Sequence, residues 1–151
     1  MYNNPANASD VLLLQFYSKL ALIEFGGWIE ESIDIILNEY LDRKILDNGL
    51  KTNIKEIINN NFGFKYKKNI IKLFCTVVGS DNWENIVDAI GMTNSTSFES
   101  IADNYSGLRN NVAHSHTKGT TPTYTSPSVV LRDYSKMWSA LQAIEAQVTA
   151  L

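Results

Sequence analysis

Cysteine, histidine and proline are scarce in this chain, and each shortage removes a class of explanation. The 151 residues hold one cysteine, two histidines and three prolines. Cys75 alone can form no disulfide within the chain; set in the apolar run Ile70–Val78, it reads as a small buried hydrophobe. No His, Cys, Asp or Glu cluster has metal-ligand spacing, so no metal or other cofactor is expected. No apolar run approaches the roughly 18 residues of a membrane helix. The start, MYNNPANASD, lacks the basic residues and apolar core of a signal peptide. The expectation is a cytoplasmic protein that does not engage a membrane. A surplus of positive charge is missing too. The formal net charge is -3, which argues against non-specific coating of nucleic acid but leaves room for a local site. There is no glycine-rich phosphate loop, no Ser/His/Asp or Cys/His arrangement and no internal repeat.

What the chain does have is helical periodicity. A length of about 150 residues suits one domain, here 1–151, with a core large enough to stand without staples. Asp10 to about Arg43 forms a long pattern in which Leu13, Phe16, Leu20 and Ile23 mark the core side of the first half. Ile29, Ile33, Ile36 and Tyr40 continue it in the second half. Ser9 or Asp10 would cap its start. Gly26-Gly27 is either a break in this helix or a place where another part of the chain comes close. LDNGLKTN reads as a turn, 53–61 as a short helix, 67–78 as another and 81–90 as a third. GMTNSTS reads as a loop before a helix over 97–114. A Thr/Ser/Pro-rich stretch, 115–128, follows as a lid or a connector. The last helix starts with Ser126 as N-cap and Pro127 at its first position. Val130, Tyr134, Met137, Leu141, Ile144 and Val148 form its inner face. No strand alternation stands out. The expected fold is all-α, a bundle of about five to six helices. Trp28, Trp83 and Trp138 fall in apolar patterns and are expected in its core.

The helix over 97–114 carries the segment LRNNVAHSHT, which places both histidines within ten residues of Arg109. On a wheel of about 100° per residue, Phe98, Ile101, Tyr105, Leu108 and Val112 form one apolar stripe. Asp103, Gly107, Asn110 and His114 lie opposite, so His114 is expected to point away from this domain's own core. Glycine inside a helix costs about 1 kcal/mol relative to alanine. Gly107 is useful on that face if a second helix packs against it, which suggests a partner subunit on the side of Asp103 and Gly107. Arg109 sits on the flank of the apolar stripe, about 140° from His114, and would have to swing round to reach it. Asn110 is the i, i+4 neighbour that could orient the imidazole.

Arg109-Asn110-Asn111-Val112-Ala113-His114 resembles the R-x4-6-H motif of the HEPN superfamily, in the RNxxAH form of its prokaryotic RiboL-PSP and MAE branches. The early segment FGGWIEESIDIILNEYL is similar to the first long HEPN helix, with Glu30 or Glu31 as the matching acid. The last helix, after a loop, also agrees. The resemblance implies a helical homodimer whose two motif helices meet. It implies a metal-independent ribonuclease of a toxin–antitoxin or antiphage defence system, with RNA as substrate and a cognate antitoxin or defence-system protein as a further partner. Arg109 and His114 would be catalytic, with Asn110 in support. The family's usual glycine after the histidine is replaced here by Ser115 and His116, and His116 is either an aid to His114 or a loop histidine. The alternative is a catalytically silent HEPN module that binds RNA, a nucleotide or a protein partner. Lys65, Lys67 and Lys68, with Tyr66 among them and Lys72 beyond, form the one basic patch. It is read either as a hold on RNA backbone or as a solvated helix face.

Overall fold

The structure, a computed structural model, describes residues 8–114 and 124–151, the side chains of Ala8, Ser9 and His114 excepted. Within these bounds it is an all-α bundle with no strand. Its helices are α1 (Ala8–Lys44), α2 (Asn48–Asn59), α3 (Ile71–Val77, preceded by a π-helical turn, Tyr66–Ile70), α4 (Ser80–His114) and α5 (Pro127–Ala150). No helix among the described residues is long and apolar enough to cross a membrane.

The core follows the apolar stripes. Ile29, Ile33 and Ile36 of α1 are buried against Phe98, Ile101, Tyr105 and Val112 of α4 and Val130, Met137, Leu141, Ile144 and Val148 of α5. α1 and α5 run parallel: Trp28 packs against Tyr134 and Trp138, and further along the Arg43 guanidinium donates to the carbonyls of Thr149 (2.8 Å) and Val148 (3.2 Å). Those carbonyls are among the last of α5, which have no partner within the helix and carry partial negative charge. The Tyr105 hydroxyl donates to Asp133 Oδ2 at 3.0 Å, pinning the late part of α4 to the first turns of α5. Ser126 precedes α5 with extended backbone and Pro127 occupies its first turn, as the sequence implies.

Several elements differ from expectation. α1 passes unbroken through Gly26-Gly27. Its described part begins at Ala8, so Ser9 and Asp10, the two expected caps, both fall inside its first turn. The expected core face of its first half is wrong: Leu13, Phe16 and Leu20 are about half exposed, Ile23 is half-buried, and Ser18 and Leu22 turn inward instead. Periodicity marks an apolar face but not its cover. Pro127 and Val130, at the start of α5, line a shared surface pocket with Ala21, Phe25 and Trp28 of α1, and Leu13, Phe16 and Leu20 all precede that stretch. α2 starts five residues before the expected position because Asp47 caps it, accepting from Leu50 N at 2.7 Å. The expected loop at 91–97 shrinks to a kink at Gly91, whose φ of 77° suits glycine; from Met92 the chain is helical again. Trp83 is buried and Trp28 half-buried, but Trp138 is 45% exposed, its ring stacked on Trp28. Cys75 is half-buried rather than buried.

Candidate functional site

α4 presents Arg109 on the flank of its apolar stripe, where the side chain lies across α1. Its stem passes directly over Gly26: a Cβ there would stand 2.7 Å from Arg109 Cδ and 3.3 Å from the Phe64 ring. The open question about the glycine pair is thereby answered for one of them. Gly26 is the close approach, whereas a Cβ on Gly27 would meet nothing within 4 Å.

Beyond Gly26 the guanidinium reaches Glu30. Arg109 Nη1 and Glu30 Oε2 are 2.5 Å apart, with side chains 32% and 24% exposed. The guanidinium carbon also lies 5.9 Å from the centre of the buried Phe64 ring, within the range of a cation–π contact. The other carboxylate oxygen of Glu30 accepts from Gly63 N at 2.8 Å. Glu30 thus joins the motif arginine to the 61–65 segment, while its neighbour Glu31 is exposed. Of the two acids left open by the sequence, Glu30 is the one that faces Arg109. One turn further along α1, burial pushes the Asp34 carboxyl up to about 6, with the nearby charges of Glu30 and Glu31 adding to the effect.

Residues 61–65 are held at three points. Besides the Glu30 bond, the Asn69 side-chain amide donates to Phe62 O (3.1 Å) and to Asn61 Oδ1 (3.2 Å). Asp103 Oδ1 accepts from Tyr66 N at 2.9 Å, where the π-helical turn begins. Asp103 was expected on the outward stripe of α4; it commits this oxygen inside the chain and is half-buried. Gly107 and Asn110 on the same stripe are exposed, and a Cβ on Gly107 would meet nothing within 4 Å.

Together these segments enclose a cleft of about 410 Å³. Arg109, Asn110 and Ser106 of α4 form one wall and Glu30 of α1 another. Phe62, Lys65 and Lys68 close the third side. The chain is acidic overall, yet this cleft gathers three cationic side chains (Lys65, Lys68, Arg109) against one carboxylate (Glu30). A cleft biased this way attracts anions. Lys67 is exposed and does not line it. Tyr66, the aromatic inside the basic patch, is in the core, edge-on to Phe98. Phe62, just before the patch, is the exposed ring, at 84%. Reading the sequence missed Phe62 and Asn69; the signal was the interleaving of aromatic and basic residues in NFGFKYKK.

His114 ends α4, so the cleft lies beside the last turns of its helix. Its side chain, any approach to Arg109 or Asn110, and His116 lie outside the described residues. Among the described residues no three His, Cys, Asp or Glu side chains gather as a metal site would require. Comparison with protein-family models, with curated proteins and with solved structures returned no match.

Proposed function

We propose that the protein is an endoribonuclease of HEPN type, acting as a homodimer and cleaving RNA by attack of its own 2′-OH without a metal. The observation that carries this reading is the meeting of Arg109, Asn110, Lys65 and Lys68 in one cleft beside the end of the helix that bears His114. Cleavage through the 2′-OH needs a base for that proton, an acid for the departing 5′ oxygen and cations near the phosphorane. In this reading the two His114 side chains of a dimer divide the acid and base roles, worth typically 10²- to 10⁴-fold. Arg109 binds the phosphate and stabilises the added charge. Glu30 acts by holding the arginine at its place in the cleft, and Asn110 orients.

Support for a dimer comes from two exposed features: the open helix surface at Gly107, and Leu13, Phe16 and Leu20, which leave an apolar face on the first half of α1. The setting, a toxin–antitoxin or antiphage defence system with its own partner protein, rests on the motif resemblance. It predicts growth inhibition on expression, relieved by that partner.

Replacing His114 with Ala should abolish RNA cleavage and leave the dimer intact. Substituting 2′-deoxy nucleotides at the scissile position should block the reaction, and EDTA should not. Normal cleavage by His114→Ala would refute the assignment. One observation favours a second reading, a silent module that binds RNA, a nucleotide or a protein partner: Glu30 already neutralises part of the Arg109 charge. RNA binding by the wild-type protein with no cleavage of any RNA would favour that reading.

A further inference from the structure

A second cleft, of about 480 Å³, lies between α2 and α3. Lys68 and Asn69 line it as well as the Arg109 cleft, so the two form one continuous track over the surface. Lys72 and Thr76 extend one bank of it, and Asn53, Asn60 and Asn61 the other. Ile57 and Leu73 supply an apolar floor, and the polar lining is mostly amide and ammonium, with a single carboxylate, Glu56. Such side chains suit a chain of phosphates whose bases offer mixed donors and acceptors. Amide groups can both donate and accept, and ammonium groups meet phosphate as point charges.

Phe62 lines the Arg109 cleft, directly after Asn61, which lines the second. Its ring is 84% exposed, and exposure of a single apolar residue is ordinary in itself. What is not ordinary is how firmly its backbone is placed. Asn69 holds its carbonyl, Glu30 holds the N–H of the next residue, and the following Phe64 is buried in the core. The ring is therefore presented from an anchored segment, on the lip of a cationic cleft.

We propose that this track binds single-stranded RNA flanking the cleavage site, with Phe62 stacking an unpaired base and Lys68 and Lys72 taking successive phosphates. The inference rests on the ribonuclease reading and deepens it by naming the substrate class. A duplex would not serve, because its bases are already stacked on each other and unavailable to Phe62. Base–aromatic stacking tolerates any base, so the track selects for strandedness more than for sequence.

The test uses the full-length chain and 2′-O-methyl oligonucleotides, which cannot be cleaved through their own 2′ oxygen, one of them carrying 2-aminopurine. Wild type should bind a 12-mer single strand more tightly than a trimer or a duplex, and should quench the 2-aminopurine. Phe62→Ala should weaken 12-mer binding by about five- to 150-fold and lose the quenching, while Phe62→Trp keeps both. Lys72→Ala should flatten the plot of log affinity against log salt by about 0.7, the loss of one single-strand phosphate contact. Both side chains are exposed, so neither change threatens the fold. If wild type binds and cleaves RNA but Phe62→Ala and Lys72→Ala behave like it, the track is wrong and the ribonuclease stands. If wild type neither binds nor cleaves any RNA, both fall together.

Discussion

Placing a methyl group at position 26 tests the geometry of the site more sharply than removing any of its polar residues. Gly26 and Gly27 are neighbours in the interior of the same helix, so Gly→Ala adds the same helix propensity at each, about 1 kcal/mol. Their surroundings differ. At Gly27 the new Cβ meets nothing within 4 Å. Gly27→Ala should therefore stabilise the protein by about 1 kcal/mol, raising Tm by about 2–4 °C. At Gly26 the Cβ would lie 2.7 Å from Arg109 Cδ and 3.3 Å from Phe64. Phe64 is buried and has little room to move, so the arginine stem must shift. Overpacking of this kind costs about 1–3 kcal/mol, which offsets the propensity gain or exceeds it. Gly26→Ala should then range from about neutral to about 2 kcal/mol destabilised. Its larger effect should fall on the site: the Glu30 pair breaks, and a displacement of about 1 Å can cost on the order of 100-fold in rate. Chemical denaturation and single-turnover RNA cleavage, run on both variants, separate the two effects. An Arg Nε–Hε resonance that moves in Gly26→Ala but not in Gly27→Ala would report the shift without relying on activity. Two alanines that raise Tm equally and leave cleavage and that resonance unchanged would refute the claim that Arg109 is seated over Gly26.

Gly107→Ala should raise the stability of the isolated subunit by about 1 kcal/mol, because the position is an open helix interior, and should weaken the proposed dimer. Sedimentation across a concentration series reads the second effect, and an unchanged dimer would move the interface elsewhere. Asp34→Asn bears on pH. The folded-state carboxyl of Asp34 is raised from 3.8 to about 6, so its contribution to stability is fully present below about 3.8 and is lost as pH rises through about 6. The Asn variant should remove that decline, so unfolding free energies measured from pH 4 to 7 should fall less with rising pH than in wild type. Tyr105→Phe removes the 3.0 Å bond to Asp133 and should cost about 1.5–3 kcal/mol in denaturant melts, because the acceptor is charged and partly buried. Burial and Asp133 both push the Tyr105 hydroxyl well above its usual range, so wild type should keep this bond throughout the neutral pH window.

The inner faces of α4 and α5 were legible from spacing alone. Phe98, Ile101, Tyr105 and Val112 recur with the helical period, as do Val130, Met137, Leu141, Ile144 and Val148, and all are buried, while Leu108 and Tyr134 on the same stripes are half-buried. The same logic failed for Leu13, Phe16 and Leu20, which have the period but stay about half exposed. It failed again for α2, whose start depends on one carboxylate cap in a segment that otherwise reads as a turn. In the candidate site, Arg109 and Asn110 were legible because a motif names them, and the lysines because they are clustered. Their convergence was not. Phe62 was overlooked in favour of Tyr66, four residues on, because which of two nearby rings is buried depends on the π-helical turn and the bonds that anchor its start.

Local spacing and residue type determined by themselves that the chain is helical, which faces of its late helices turn inward, and that Arg109 stands near a helix end. Those are short-range matters, set by a backbone period and by side-chain polarity. Only the tertiary structure decided that Arg109 meets Glu30, 79 residues away, over a glycine that leaves it room, and that Lys65 and Lys68 share its cleft. The reason is physical: a helix reports which side is buried, but what it is buried against depends on how distant segments pack.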